Sequence, residues 1–156
     1  SEVWVVSGGS FADALSAASV AGARHAAIVP SWHGGGAQDR SRWIETIARA
    51  LTGASVHIAG SSSSVSNDDR AALHGAAGSV DRVFGPDRYE TAMRVADRFS
   101  PGPHASTSMV LASGQQFPDA LGGAVLAAVR GVPLLLTPSA CHATVTARLA
   151  DERDQR

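Results

Sequence analysis

Two glycine-rich segments contain the residue types that a serine hydrolase uses. Gly8-Gly9-Ser10 follows an apolar run, where a nucleophilic serine would lie at a strand-to-helix turn. His33-Gly34-Gly35-Gly36 has the composition of a loop that stabilises an oxyanion. In hydrolases built this way the glycine-rich loop precedes the nucleophile, whereas here it follows. The order of the two segments therefore argues against a catalytic site.

The first of these segments belongs to an internal repeat. Ser7-Gly8-Gly9-Ser10-Phe11-Ala12-Asp13-Ala14-Leu15 returns 106 positions later as Ser113-Gly114-Gln115-Gln116-Phe117-Pro118-Asp119-Ala120-Leu121, and the match continues without a gap to Arg24 and Arg130. Ser10 becomes Gln116 in the second copy, while the Phe, Asp, Ala and Leu persist. We therefore expect no catalytic residue here, and we interpret the motif as a unit present in copies.

The repeated aspartates, Asp13 and Asp119, allow two interpretations. As structural residues, they would each place a carboxylate in the first turn of a helix, with Phe11 and Phe117 as aromatic anchors for the core. As binding residues, they would face a groove and accept hydrogen bonds from a sugar hydroxyl or an arginine. The structural role is favoured, and both stay open at this point.

The composition excludes several classes of site. All 13 basic residues are arginine, which excludes a Schiff-base, pyridoxal-phosphate or P-loop lysine. A net charge of −1 provides no basic field for nucleic acid. The six histidines and Cys141 show no metal-ligand spacing, and we expect neither a metal nor another cofactor. No apolar stretch reaches the about 20 residues that span a bilayer, so membrane insertion is not expected.

One further turn has a composition that suits an anion. Gly60-Ser61-Ser62-Ser63-Ser64 lies between a predicted strand and a predicted helix. Backbone N–H groups exposed at a helix N-terminus form a cradle for an anion. An ordinary tight turn explains the same residues equally well.

Short apolar runs alternate with alanine-rich stretches of helical length, which is typical of an α/β fold with βα units around a parallel sheet. We predict strands near 3–6, 26–30, 55–59, 80–84, 108–112 and 132–136. We predict helices near 12–23, 39–52, 65–76, 88–99, 118–130 and 140–150. Ser66 and Asp87 have the sequence pattern of helix N-caps.

Three motifs follow one another in the second half of the chain. The first is Phe84-Gly85-Pro86-Asp87-Arg88-Tyr89-Glu90-Thr91-Ala92. The second is Ser113-Gly114 with Phe117-Pro118-Asp119-Ala120-Leu121, and the third is Gly131-Val132-Pro133-Leu134-Leu135-Leu136-Thr137. In this order and spacing they resemble the type 2 cell-wall-binding repeat of Gram-positive bacteria. The first copy supplies the second motif again, and 56–66 resembles the strand and glycine turn that complete a repeat.

The resemblance implies a function. Modules of this family are small α/β units, Rossmann- or Toprim-like, that pack in tandem and anchor surface proteins non-covalently to anionic wall polymers. It implies a secreted protein at the cell wall or cell surface, whose signal peptide is not in this chain. The expected partners are an anionic cell-wall polysaccharide and neighbouring repeats or a second copy of the chain. Catalysis is not expected.

The resemblance divides the chain into a first copy over 1–79, a second over 80–150, and a charged tail over 151–156. The first copy lacks its N-terminal segment and the second its C-terminal segment. Two alternatives remain: a nucleotide or sugar-phosphate enzyme on a doubly wound sheet, with its site at the carboxyl ends of the strands, and a purely structural oligomerisation module.

The candidate residues fall into two groups. Five charged residues would bind the polymer or form ion pairs at the seam between copies: Asp13, Arg24, Arg88, Asp119 and Arg130. Nine would shape the motif turns: Ser7, Gly8, Gly60, Ser61, Asp87, Tyr89, Glu90, Ser113 and Gly114. Arginine suits phosphate or carboxylate because its planar guanidinium donates two parallel hydrogen bonds. For Arg88 we slightly favour the seam, paired with Asp13 or Asp119.

Overall fold

The computed structural model of the chain describes residues 1–31, 36–99, 108–140 and 142–154. The strands are β1 (Glu2–Ser7), β2 (Ala27–Ser31), β3 (Ser55–Ala59), β4 (Ser79–Val83), β5 (Val110–Ser113) and β6 (Leu134–Thr137). The helices are α1 (Phe11–Ala23), α2 (Ala37–Leu51), α3 (Asn67–Ala76), α4 (Arg88–Asp97), α5 (Phe117–Arg130) and α6 (Ala143–Asp154). The predicted α/β alternation is confirmed.

The predicted charged tail differs in the structure, and two segments named in the sequence analysis lie outside the described residues. Helix α6 continues to Asp154, so most of the predicted charged tail is helical. His33-Gly34-Gly35 and Cys141 lie outside the described residues. Within the described ranges, no helix is both long and apolar enough to cross a membrane.

The strands form two parallel sheets. The larger sheet has the order β2-β1-β3-β4, and the smaller sheet pairs β5 with β6. Strand β4, which the sequence division assigns to the second copy, pairs with β3 of the first. The polypeptide therefore passes from one sheet to the other after β4, and the two copies share elements.

Strand alternation places apolar side chains on both faces of the larger sheet. On one face, Val3, Val5, Val56 and Ile58 pack with apolar residues of α2 and α3. On the other face, the cluster of Trp4, Val6, Ala59 and Val83 packs with residues of α1 and α4: Ala17, Val20, Ala21 and Val95. Helices therefore cover both faces of this parallel sheet, as the βαβ connections require.

The internal repeat extends to the hydrogen bonds and the strand register. Trp4 pairs with Ile28 in β1–β2, and Val110 pairs with Leu134 in β5–β6, which is the same register shifted by one repeat. The Gly8 N–H donates to Ser31, and the Gly114 N–H donates to Thr137. The two strand pairs are thus copies in structure as well as in sequence.

The two copies meet where α1 packs against α5, and the contact is made by small side chains. Ala12 of α1 and Ala120, Ala124 and Ala127 of α5 lie in one buried cluster with the apolar residues of the smaller sheet. A Cβ at Gly22 would lie 2.6 Å from the Cβ of Ala128, its repeat-equivalent residue. Buried alanine and glycine allow the helices to approach closely, and that approach leaves no room for larger side chains.

A buried serine also joins the two copies. Ser19 is 1% exposed, and its hydroxyl accepts a hydrogen bond from the N–H of Leu134 at 3.3 Å while donating to the carbonyl of Ser16. Strand β6 of the second copy is therefore attached directly to α1 of the first.

Gly22→Ala should destabilise the chain by about 1–3 kcal/mol, because the added methyl group must force α1 and α5 apart. Gly122→Ala is the matched control, since a Cβ there meets open space and should stabilise α5 by about 0.5–1 kcal/mol. Urea unfolding followed by circular dichroism measures both. Equal effects of the two substitutions would contradict the close helix contact.

Candidate functional site

A polar cleft lies at the carboxyl ends of β1, β3 and β4. Its volume is about 190 Å³, and it is lined by Ser10, Ala12, Asp13, Ser61, Ser64, Gly85, Pro86, Asp87, Arg88 and Thr91. These residues come from the turns after the three strands and from the first turns of α1 and α4. This edge of a parallel sheet is where ligands bind in open α/β folds.

Asp13 is the charged residue at the base of the cleft. It is only 7% exposed, and its carboxylate accepts a hydrogen bond from Ser64. Burial raises the pKa of Asp13, and the Ser64 hydrogen bond and the positive charge of Arg88 offset part of that rise. A buried carboxylate of this kind is costly unless neighbouring donors stabilise it.

The turn after β3 covers Asp13 because Gly60 leaves room for it. Gly60 has φ +112°, and a Cβ there would lie 2.6 Å from Oδ2 of Asp13 and 2.8 Å from Cβ of Ser64. A side chain at Gly60 would therefore both strain the backbone and displace the carboxylate. The turn is closed by contact between the hydroxyls of Ser61 and Ser63 at 2.7 Å.

Arg82 of β4 holds the same turn from beneath. Its guanidinium donates to the carbonyl of Gly60 at 2.9 Å and to that of Val65 at 2.8 Å. Burial lowers the pKa of Arg82, and the nearby charge of Arg70 acts in the same direction. Arg82 thus fixes the loop that carries Ser61 and Ser64.

Arg88, which the sequence division assigns to the second copy, contacts residues of both copies. Its Nη1 donates to the carbonyl of Gly114 at 2.7 Å, and its guanidinium carbon lies 5.8 Å from the ring centre of Phe11. The ring of Phe11 in turn meets that of Phe117, its repeat-equivalent, edge-on at 5.5 Å. Arg88 therefore lies both at the cleft and at the seam between copies.

The first turn of α4 forms one wall of the cleft. Asp87 is the predicted N-cap, and its Oδ1 accepts hydrogen bonds from the N–H groups of Tyr89 at 2.9 Å and Glu90 at 2.8 Å. The Tyr89 ring packs beside Gly114, where a Cβ would lie 2.7 Å from it. Thr91 accepts a hydrogen bond from the Gly85 N–H.

The turn residues predicted from the motif shape the backbone in both copies. The hydroxyl of Ser7 accepts a hydrogen bond from the Gly9 N–H at 3.1 Å, and that of Ser113 accepts one from Gln115 at 3.2 Å. Gly8 lies so close to Ser31 that a Cβ would be 2.5 Å from its carbonyl oxygen. These residues position the cleft without lining it.

Three of the predicted charged residues lie away from the cleft. Arg24 caps the C-terminus of α1 and forms an ion pair with Glu2 at 3.3 Å, at the opposite end of the sheet. Arg130 ends α5 and is exposed. Asp119 is exposed, although it is the repeat equivalent of the buried Asp13. Of the five charged candidates, the structure brings together Asp13 and Arg88.

Sequence reasoning missed Arg82, which fixes the turn after β3. It named Ser64 and Thr91 within motifs but missed their contacts: Ser64 donates to Asp13, and Thr91 accepts from Gly85. The sequence signal that could have identified Arg82 is its position as a charged residue inside the predicted strand near 80–84. Phe117 was misjudged as a core anchor, since it is 46% exposed, whereas Phe11 packs against the buried cluster of α1, α5 and the smaller sheet as expected.

The cleft suits a small polar group. Hydroxyls, two carboxylates and one guanidinium surround it, and its volume lies below the about 300–1,000 Å³ of typical small-molecule pockets. Within the part of the chain that the structure describes, no group of three or more His, Cys, Asp or Glu residues could hold a metal ion. The arrangement can bind hydroxyls at its carboxylates and one anionic group at Arg88.

The chain is similar to known proteins in sequence over one segment and in fold over nearly its whole length. Residues 82–153 match the family model of cell wall binding domain 2. The fold is similar to Cwp8 from Clostridium difficile, with a TM-score of 0.74 and 21% identity over 97% of this chain and 28% of that one. It is also similar to Cwp6 from Clostridium difficile, with a TM-score of 0.73 and 25% identity over 88% of this chain and 21% of that one.

The chain thus spans less than a third of the length of either structure. Comparison with curated protein sequences gives no match.

Replacing Asp13 by Asn should change how stability depends on pH. Because the folded-state pKa is raised, the folded state binds protons more readily than the unfolded state between the ordinary and the raised pKa. The wild type should therefore lose stability relative to Asp13→Asn as the pH rises through that window, and the difference should level off above it. Urea unfolding at a series of pH values measures the difference.

Asp119→Asn, at the exposed repeat-equivalent position, is the control for removing one negative charge. The same pH-dependent difference at both positions would show that the burial of Asp13 is not its cause.

Proposed function

Since residues 82–153 match the family model of cell wall binding domain 2, we propose that this chain anchors a larger secreted protein non-covalently to an anionic polysaccharide of the bacterial cell wall. The observation that carries the proposal is the polar cleft, in which buried Asp13 and exposed Arg88 face the same space. The family match supports a location at the cell wall or cell surface, and the polymer and its site are our inference.

The composition of the cleft supports a sugar as the bound unit. Asp13 and Asp87 provide acceptors for sugar hydroxyls, and the hydroxyls of Ser10, Ser61 and Ser64 can donate or accept. The small volume suits one residue of a polymer better than an extended cofactor. Each cleft would therefore make few contacts with the polymer.

Arg88 supplies the positive charge for an anionic group. One of its terminal nitrogens donates to Gly114, and the planar guanidinium has further donors for a phosphate or a carboxylate. Its position over the Phe11 ring holds the group in place by a cation–π contact. Arg24 and Arg130 lie elsewhere and would not contribute to this contact.

We also propose that binding involves no covalent step. Ser10 lines the cleft, but none of the residues that line it is a histidine or a cysteine that would activate a nucleophile. Weak binding by one cleft is compatible with firm anchoring, because tandem clefts on one chain raise the effective affinity.

Arg88→Gln should weaken retention of the chain by cell-wall sacculi about tenfold, because a charge-assisted hydrogen bond contributes about 1.5–3 kcal/mol. Co-sedimentation with Gram-positive sacculi across a salt series measures this, before and after acid extraction of the anionic polymers. Retention should fall with added salt and be lost on extraction.

Arg42→Gln is the matched control, since Arg42 is an exposed arginine on α2, which covers the other face of the sheet. Retention that survives extraction, or that falls equally in both variants, would contradict polymer binding at Arg88. A wild-type chain that neither preparation retains would contradict wall binding by this chain.

A further inference from the structure

A second cavity lies between the outer edge of β4 and helix α4, and we infer that it binds an anionic sugar unit of the same polymer. Its volume is about 310 Å³, and it is lined by Arg82, Val83, Phe84, Arg94, Asp97 and Arg98. The polar cleft has a volume of about 190 Å³ and shares none of these residues. The second cavity is therefore a separate site, and its volume falls within the about 300–1,000 Å³ of small-molecule pockets.

The cleft and the second cavity are adjacent along the chain. Residues 85–88 line the cleft, and residues 82–84 line the second cavity. On α4, Thr91 lines the cleft, and Arg94 and Arg98 follow at spacings of three and four residues, which places the three on one face of the helix. Helix α4 has 10 residues and is therefore about 15 Å long. Two units of one polymer can thus occupy the two sites together.

The wall formed by β4 offers backbone groups to a ligand. On the inner side of this edge strand, the Val83 carbonyl accepts a hydrogen bond from the Gly60 N–H. Backbone groups of successive residues point to opposite sides of a strand, so those of Arg82 and Phe84 point outwards. The Phe84 carbonyl accepts a hydrogen bond from Nη1 of Arg94 at 2.8 Å. Because this guanidinium lies across the outer edge, it blocks pairing with a peptide strand there.

Two guanidinium groups give the cavity its preference for an anion. Arg94 forms an ion pair with Glu90 at 3.8 Å, and Arg98 forms one with Asp81 at 2.9 Å. Both arginine side chains are about half exposed, and ion pairs this exposed are weak. A guanidinium has five N–H donors, so each retains donors for a ligand. Asp97 is the one carboxylate among the lining residues, and it is outnumbered by these two cations.

The guanidinium of Arg82 does not add to this charge. It donates to the carbonyls of Gly60 and Val65 in the turn after β3, so Arg82 contributes its backbone to the cavity wall.

Phe84 supplies an apolar surface beside the two guanidinium groups. It is 44% exposed, whereas the preceding Val83 is buried in the core. The flat C–H face of a sugar ring packs on an aromatic ring, and this contact removes apolar surface from water. One aromatic ring beside two charged donors therefore fits a sugar that carries a phosphate or a carboxylate.

A second subsite would strengthen anchoring because two weak contacts on one chain raise the effective affinity. That the sugar belongs to the wall polymer rests on the proposed function. Binding of an anionic sugar in the cavity does not rest on it, so the two can be tested separately.

The test is titration of the intact, isotope-labelled chain with glucose 1-phosphate, followed by NMR spectroscopy. The ring protons of Phe84 and the Nε–H groups of Arg94 and Arg98 should shift saturably, with a Kd below about 10 mM. Inorganic phosphate should bind at least about threefold more weakly because it has no ring, and glucose should cause no saturable shift because it has no charge. Shifts confined to cleft residues such as Ser61 and Ser64 would overturn the inference.

Two variants with matched controls assign the binding to these side chains. Arg94→Gln and Phe84→Ala should each weaken the binding of glucose 1-phosphate at least about threefold. Arg49→Gln is the control for Arg94→Gln, since both residues are exposed arginines in the last turn of a helix. Phe117→Ala is the control for Phe84→Ala, since Phe117 is exposed to the same extent. Both controls should leave the binding unchanged, and circular dichroism verifies that all four variants fold.

Three results of the titration would overturn the inference: no saturable shift at the cavity, equal effects of a variant and its control, or inorganic phosphate that binds as tightly as glucose 1-phosphate.

Retention by cell-wall sacculi decides whether the bound sugar belongs to the polymer. Phe84→Ala should weaken retention at least about threefold relative to Phe117→Ala. Unchanged retention of Phe84→Ala, together with weakened retention of Arg88→Gln, would overturn the second subsite and leave the proposed function in place. A wild-type chain that sacculi do not retain would overturn the proposed function, and the titration would still decide whether the cavity binds an anionic sugar.

Discussion

The close contact between α1 and α5 is the constraint on which the rest of the structure depends. Gly22 and Ala128 occupy equivalent positions of the two copies and leave no space between them for another methyl group. Because the helices are so close, β6 can donate a hydrogen bond directly to Ser19, and the Phe11 and Phe117 rings can meet. The seam in turn places Gly114 within reach of Arg88. A larger residue at the seam would disturb both copies and the cleft together.

Much of the fold was predictable from the sequence, because it depends on patterns that are local. The alternation of apolar runs and alanine-rich stretches predicted the strands and helices, and the caps at Ser66 and Asp87 were visible as residue types at fixed spacings. The offset of the repeat predicted that β5 and β6 would copy β1 and β2. In each of these cases the determining residues lie within about one turn or one strand of the feature.

The candidate site was predictable in part, because its remaining features depend on distant segments. Asp13 and Asp119 have nearly identical neighbours in sequence, yet one is buried and the other exposed. The difference arises from the turn after β3, almost 50 residues after Asp13 in the chain. Arg82 was missed for the same reason, since its guanidinium donates to carbonyl groups of a turn that lies 16 to 22 residues earlier in the chain. No local pattern carries that information.

The position of the cleft between two copies determines how many such clefts a tandem array of repeats would contain. Ser10, Asp13, Ser61 and Ser64 belong to the first copy, whereas Gly85, Asp87, Arg88 and Thr91 belong to the second under the predicted division. The shared strand β4 and the contact of Arg88 with the Phe11 ring hold the two groups of residues together. A cleft of this kind therefore forms where one repeat meets the next, and a repeat alone would supply only one wall. Under the proposed function, avidity in such an array would depend on the number of junctions between repeats, and loosening one seam would remove a whole cleft.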